Sequence, residues 1–173
     1  LVVAGFLNSF IRHADCVRIA NIAQIANVIA PVLTTDEGVL KQSSFYTFRM
    51  FAQRGQGTAL KTVTAGPVYE SVNYGEAAYI DNSAVIDGDK ITVFMTNRSV
   101  DEPAEVCLNL ADRKFASLVS GEVVSGPGAN AQNTFEKPDL IKSVPFTQVK
   151  LDGNTASLVV PPLSAAAITL TIQ

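Results

Sequence analysis

The chain has 173 residues, enough for one full hydrophobic core and part of a second. It is 47% apolar and 17% charged, as expected of a folded globular protein that is lean in charge. Its net charge of −3, from 13 basic and 16 acidic residues, argues against nucleic acid as a partner, because nucleic-acid binding usually needs a basic face. No uncharged apolar run is long enough to span a membrane, so we expect no membrane partner either.

The chain contains two cysteines and one histidine. Cys16 and Cys107 lie far apart and have no C-x-x-C spacing, and His13 is the single histidine. This composition argues against Cys/His zinc chemistry. The sequence also has no phosphate loop, no nucleophile elbow and no metal-binding signature. We therefore predict neither a metal nor a cofactor. Two buried free thiols are the favoured interpretation of the cysteines, with a structural disulfide left open.

The first segment, LVVAGFLNSFIRHAD, has the spacing of an amphipathic helix. It predicts a helix from Val2 to Ala14, with His13 capping the end. No cap residue or initiator Met precedes it, and its basic residues follow the apolar run, unlike those of a signal peptide. We expect that the chain is cut from a longer protein, inside or just before a helix.

The stretch Val17–Pro31, VRIANIAQIANVIAP, is apolar apart from one arginine and three amides. The amides are Asn21, Gln24 and Asn27. A buried amide without a hydrogen-bond partner costs about 1–3 kcal/mol. The three amides therefore either satisfy one another and nearby backbone or face a cavity that binds something polar.

The first third of the chain has the alternation of an α/β unit. Residues 17–23 predict a strand buried on both faces. Over residues 24–30 the pattern fits a continuation of the strand and a short helical turn equally well, and Pro31 ends the segment. Residues 34–40 predict a polar loop. A second helix is predicted over residues 43–54, capped by Ser43 or Ser44 and ended by Gly55, with an aromatic stripe that belongs to the core.

From residue 60 onward, short runs rich in Val, Ile, Thr, Phe and Leu predict strands. These runs are 63–69, 79–86, 90–97, 104–110, 115–124, 146–151, 156–160 and 165–172. Asp87-Gly88 and Asp152-Gly153 are signals for tight hairpin turns. Such spacing is typical of an antiparallel β-sandwich, plausibly a jelly roll. The long stretch from Ser125 to Ser143 predicts a functional or mobile loop.

The acidic residues offer no catalytic pair, because most of them lie in predicted turns, where carboxylates are usually solvated. Asn97-Arg98-Ser99 fits a glycosylation pattern, but such triplets are common. We therefore predict no catalytic residue in this chain.

The string FLNSFIRHAD-CVRIANIAQIANVIAPVLT, followed by SSFYTFRMFAQRGQGTAL, resembles the final barrel segments of the family 51 glycoside hydrolases, the α-L-arabinofuranosidases. Asn133-Thr134-Phe135-Glu136-Lys137-Pro138 and the closing Pro162-Leu163-Ser164 look like the carboxyl-terminal jelly roll of that family.

The resemblance implies a mainly β fold: a C-terminal antiparallel β-sandwich (jelly roll) preceded by the last helix-strand-helix of a (β/α)8 barrel. Residues 1–58 would end the barrel and residues 59–173 would form the sandwich. The family retains configuration by means of two glutamates on earlier barrel strands, so this chain alone is expected to be inactive. The parent would release terminal arabinofuranosyl units from arabinose-containing hemicellulose.

The resemblance also implies a role for one amide. Gln24 matches the strand-eight glutamine of the family, which hydrogen-bonds the arabinose next to the scissile bond. Asn21 varies in the family and stays open, and Asn27 is expected to tie down the turn before Pro31.

The implied partners are arabinose-containing oligosaccharides or polysaccharides and the rest of the barrel. Apolar barrel faces in residues 1–58 also favour a homo-oligomer. A cytoplasmic location is favoured over secretion. The alternative is a non-catalytic β-sandwich module for carbohydrate binding or oligomer contacts, although the absence of Trp weakens the carbohydrate version.

Overall fold

The computed structural model describes residues 1–173, which form two helices and thirteen strands. The N-terminal elements are α1 (Val2–Arg12), β1 (Val32–Thr35), β2 (Gly38–Lys41) and α2 (Ser43–Arg54). The remaining strands are β3 (Thr58–Leu60), β4 (Val68–Ser71), β5 (Gly75–Ala78), β6 (Ile80–Asp87), β7 (Lys90–Asn97), β8 (Ala104–Asn109), β9 (Phe115–Val124), β10 (Ser143–Pro145), β11 (Val149–Asp152), β12 (Thr155–Val160) and β13 (Ser164–Ile172). Neither helix is long and apolar enough to cross a bilayer.

Two antiparallel sheets pack face to face. One has six strands in the order β10-β9-β13-β7-β6-β3, and the other has three strands in the order β11-β12-β8. Their shared core contains fully buried side chains from both sheets, among them Val160 of β12 and Ile168 and Leu170 of β13. The predicted mainly β class with a C-terminal antiparallel sandwich is confirmed.

The two helices cover the other face of the six-stranded sheet. A second core joins Leu7 of α1 and Met50 of α2 to Val85 of β6 and Ala167 of β13. Because the six-stranded sheet is covered on both faces, β7 and β13 are buried along almost their whole length and show no apolar–polar alternation. Strands β8 and β12 do alternate, since only one face of the smaller sheet meets the core.

The tight turns are where the sequence predicts them. Gly88 and Gly153 both have φ of 59°, a conformation that glycine adopts without steric cost. Each lies in a two-residue hairpin loop, closed by the pairs Asp87–Lys90 and Asp152–Thr155.

Several local predictions are confirmed. Helix α2 has the predicted bounds, α1 ends two residues before the predicted Ala14, and the core stripe of α2 includes Met50 and Phe51. His13 occupies the cap position of α1, and its Nδ1 lies 2.8 Å from the carbonyl oxygen of Ser9.

Other local predictions are wrong. The cap residue of α2 is Gln42 and not Ser43 or Ser44, because the backbone at Gln42 is extended and the helix begins at Ser43. Residues 34–40 do not form a loop: they contain the end of β1, the hairpin turn and most of β2, since Thr35 pairs with Gly38. The predicted strand over 63–69 begins only at Val68, because Val63 is almost fully exposed and contributes nothing to the core.

The cysteines and the Asn97 triplet also differ from expectation. Cys16 and Cys107 are free, but both are exposed instead of buried, Cys107 because it lies on the outward side of β8. The Asn97 side chain is fully buried and donates to the carbonyl oxygens of Glu102 and Val160, at 3.0 and 3.1 Å. This amide is therefore inaccessible to glycosylation in the folded chain.

Candidate functional site

The stretch between α1 and β1, residues 17–31, carries the predicted sugar-contacting amide. It has no helix and no strand, only a single parallel bridge between Ala26 and Val32. The predicted strand over 17–23 and helical turn over 24–30 are therefore wrong. A strand needs a hydrogen-bonded neighbour, and no strand of this chain pairs with residues 17–23.

The apolar side chains of this stretch face solvent instead of a core. Ile19, Ile25, Val28 and Ile29 are each more than three-quarters exposed. Adjacent large apolar side chains with such exposure are uncommon on a finished protein surface and mark interaction sites. The stretch thus presents an uncovered apolar surface beside its polar amides.

The backbone of the stretch is strained. Gln24, Asn27 and Val28 have φ of 54°, 60° and 55°. Asparagine tolerates the left-handed region, but a β-branched residue such as Val28 is a genuine outlier there. Strain of this kind costs on the order of 1–3 kcal/mol per residue and clusters at functional sites.

The three amides separate clearly in their contacts. Asn27 is fully engaged: its Nδ2 donates to Oγ1 of Thr34 at 3.0 Å, and its Oδ1 accepts from the Thr34 backbone N–H at 2.8 Å. Its contacts agree with the predicted structural role. Gln24 and Asn21 are exposed, and neither side chain hydrogen-bonds any other residue of the chain. Their donors and acceptors are free for a ligand.

Both ends of the stretch are held by ordered elements. Ala30 and Pro31 are buried, and the carbonyl oxygen of Pro31 accepts from the backbone N–H of Gln42 just before α2. At the other end, α1 is fastened to β6. Gln24 is therefore carried on an exposed connection between two anchored elements.

The anchor of α1 is a buried polar cluster around Asn8. Its Nδ2 donates to Oδ2 of Asp81 at 3.1 Å, and its Oδ1 accepts from Oγ of Ser83 at 2.7 Å. Asp81 also pairs with Arg12 at 2.8 Å and with Arg98 at 3.5 Å. This cluster is not predicted from the sequence, although an amide on the apolar side of α1 is a signal that could have indicated it.

The anchor of α2 is Glu122 of β9, a nearly buried carboxylate. It pairs with Arg54 at 2.8 Å and with Arg49 at 3.2 Å, and it accepts a hydrogen bond from Ser143. Burial alone would raise the pKa of Glu122, but the hydrogen bonds from Ser143 and Arg54 and the charges of Arg54 and Arg49 outweigh burial and lower it. Glu122 is not predicted from the sequence either. The feature that could have indicated it is a single charged residue within the otherwise largely apolar strand β9.

These two clusters account for the best-buried carboxylates, and each is neutralised by arginine. No three His, Cys, Asp or Glu side chains converge in a way that could hold a metal ion. Both carboxylates therefore hold the helices against the six-stranded sheet.

Comparison with known proteins identifies this architecture. Residues 1–164 match the family model described as the alpha-L-arabinofuranosidase C-terminal domain. The chain belongs to this family. The resemblance to family 51 arabinofuranosidases is thereby confirmed.

Among relatives of this arabinofuranosidase C-terminal domain, an exo-alpha-(1->6)-L-arabinofuranosidase of Bifidobacterium longum is 31% identical over 97% of the chain and 33% of its own length. An intracellular exo-alpha-(1->5)-L-arabinofuranosidase of Bacillus subtilis is 32% identical, over 100% of the chain and 35% of its own length. The chain thus spans about a third of these relatives.

The fold agrees with solved structures. A family 51 alpha-L-arabinofuranosidase from Bifidobacterium longum superimposes with a TM-score of 0.88 at 24% identity, over 98% of this chain and 34% of that one. The GH51 arabinofuranosidase of Xanthomonas axonopodis pv. citri gives a TM-score of 0.85 at 25% identity, over 95% of this chain and 33% of its own.

Proposed function

We propose that this chain is the C-terminal part of an exo-acting, retaining α-L-arabinofuranosidase. The parent would release terminal arabinofuranosyl residues from arabinose-containing hemicellulose. The observation that carries the proposal is the family match over residues 1–164, with support from relatives named exo-arabinofuranosidases.

The catalytic carboxylates would lie outside this chain. A retaining glycosidase needs two carboxyl groups about 5–5.5 Å apart on either side of the scissile bond. Glu122 and Asp81 are instead committed to arginines at 2.8 Å and support the helix–sheet contacts. The chain alone would therefore not hydrolyse glycosides.

The parent would be divided at about residue 58. Residues 1–58 would complete a (β/α)8 barrel, and residues 59–173 would form the β-sandwich domain. In support, both helices lie before residue 55, and every strand of the two packed sheets begins at Thr58 or later.

Gln24 would bind the arabinose ring. Its amide can donate to one sugar hydroxyl and accept from another, and both groups are unoccupied within this chain. Such a hydrogen bond positions the ring and contributes to catalysis to the extent that it strengthens towards the oxocarbenium-like transition state. Gln24 would therefore be a binding residue that assists catalytic groups held elsewhere.

The remaining barrel would be the partner of the exposed apolar stretch. Burying one large aliphatic side chain contributes about 1.5–3 kcal/mol, so Ile19, Ile25, Val28 and Ile29 together offer a substantial driving force for docking. A further copy of the parent would complete a homo-oligomer. A cytoplasmic location is supported by the names of relatives from Streptomyces lividans and Bacteroides ovatus, both described as intracellular.

The test is hydrolysis of an aryl α-L-arabinofuranoside by the complete parent and by this chain, both purified from a host without the activity. We expect turnover by the parent and none by the chain. Robust turnover by the chain alone would contradict the assignment of the catalytic groups. A folded parent that leaves arabinofuranosides intact would contradict the proposed activity.

A further inference from the structure

The outer face of the three-stranded sheet carries an open cleft of about 650 Å³. Helices α1 and α2 cover the outer face of the other sheet, so the cleft lies on the opposite side of the sandwich from them. Its volume is within the range of ligand pockets, about 300–1,000 Å³. The cleft is separate from the stretch that carries Gln24.

The register of the sheet fixes which side chains line this cleft. Ser157 of β12 pairs with Lys150 of β11 on one side and with Cys107 of β8 on the other. Val159 pairs with Glu105 in the next outward row. Because Ala156, Leu158 and Val160 alternate with them and point into the core, these side chains all face outward.

The polar side chains of the cleft are unoccupied. Glu105, Lys150 and Ser157 make no side-chain hydrogen bond or ion pair within the chain, and the same holds for Gln148, which precedes β11 at the rim. At the far end of the same face the pattern differs, since Asn109 accepts a hydrogen bond from Asn154 at 2.9 Å. On this face the free groups are therefore those of the cleft: three lie on β8, β11 and β12, and Gln148 lies at the rim.

The mixture of groups selects the ligand. One carboxylate, on β8, and one ammonium, on β11, balance each other, so the cleft favours neither an anion nor a cation. An amide and a hydroxyl supply both donors and acceptors, and Val159, half exposed, supplies an apolar surface. A neutral molecule with many hydroxyls and apolar C–H faces fits this combination.

We propose that the cleft is a non-catalytic binding site for a neutral oligosaccharide. The identity of the sugar as arabinose-containing rests on the proposed function. None of the lining residues is aromatic, so no ring stacks on the sugar, and we expect binding to be weak. The site would hold a further part of the polymer while the chain end is processed at a distance.

The test is titration of the ¹⁵N-labelled 173-residue chain with linear α-(1→5)-arabinotetraose, followed by backbone amide shifts. Apart from any shifts at the proposed Gln24 site in residues 17–31, we expect saturable shifts confined to β8, β11, β12 and the 146–148 connection. Gln148→Ala and Ser157→Ala should each weaken binding about fivefold to tenfold. Gln53→Ala, which removes an exposed glutamine of α2, is the matched control and should leave binding unchanged.

Three outcomes would overturn the proposal. These are no shifts in the cleft at millimolar sugar, shifts at residues 17–31 without any in β8, β11 and β12, and a preference for polygalacturonate over the neutral oligosaccharide. If the amide signals of β8 broaden with increasing protein concentration in the absence of sugar, a second copy of the chain occupies this face. That result would also overturn the proposal. Hydrolysis by the parent is measured separately. The absence of sugar binding at the cleft would therefore leave the proposed function intact, and the two negative results can be distinguished.

Discussion

Nε of Arg54, the last residue of α2, lies 2.8 Å from Oε1 of Glu122, near the end of β9 and 68 positions away. This pair fixes the proposed barrel end to the proposed sandwich domain. Glu122→Gln should cost about 2–3 kcal/mol of unfolding free energy, below the value for a fully buried pair because both arginines are partly exposed. Urea unfolding measures it, with exposed Glu70→Gln as the matched control. Equal stability of the two variants would contradict this role.

Glu122 also gives the stability a pH dependence. Its pKa in the folded chain is lowered from the ordinary 4.5, so its contribution is fully present above pH 4.5 and is lost as the pH falls through the lower folded value. We expect stability to decline below pH 4.5 and the decline to be shallower in Glu122→Gln. Thermal unfolding between pH 3 and pH 7 measures both. Parallel pH profiles for the two proteins would be inconsistent with the contacts described.

The buried Asn8 should contribute far more to the unfolding free energy than the exposed Asn21. Asn8→Ala removes two partners from the buried cluster and leaves Ser83 and Asp81 short of hydrogen bonds, at a cost of about 2–3 kcal/mol. Asn21→Ala removes an amide with no partner in this chain and should be neutral within about 0.5 kcal/mol. Urea unfolding of both variants measures the difference, and a similar loss in both would refute the assignment.

The strain in residues 24–28 predicts an unusual stabilisation. Val28→Gly should raise the unfolding free energy of this chain by about 0.5–1 kcal/mol, because glycine adopts φ of 55° without steric cost and the lost side chain is exposed. Val72→Gly, at another exposed valine with no positive φ, should not stabilise. If both variants are destabilised alike, residue 28 is not strained.

The exposed isoleucines should make this chain self-associate. Ile25→Ser with Ile29→Ser should lower the fraction of oligomer in sedimentation velocity, because it removes apolar surface from the uncovered stretch. Val63→Ser with Val72→Ser, at two other exposed valines, is the matched control. An unchanged oligomer fraction in the isoleucine variant would mean that association uses another surface.

The sequence predicts well what is local. Helix α2 and strands β6, β7 and β9 follow from composition and period, with the Asp87-Gly88 turn between β6 and β7, and their predicted bounds agree with the observed ones to within one residue. It fails for Val17–Pro31, whose apolar pattern indicates burial although the partner surface is not within this chain. The pairing of Glu122 with Arg54, like that of Asn8 with Asp81, joins residues about 70 positions apart, and no local pattern encodes such a contact.

The proposed contact between Gln24 and the sugar is tested most directly by comparing kcat/KM of the complete parent with and without the Gln24→Ala substitution. On an aryl α-L-arabinofuranoside, Gln24→Ala should lower kcat/KM by about 10²-fold, the loss of a hydrogen bond that strengthens in the transition state. The unfolding free energy should be unchanged. Gln53→Ala, which removes an exposed glutamine of α2 outside residues 17–31, is the matched control and should leave kcat/KM unchanged. An unchanged kcat/KM in a folded Gln24→Ala parent would contradict the assignment of this residue to the sugar.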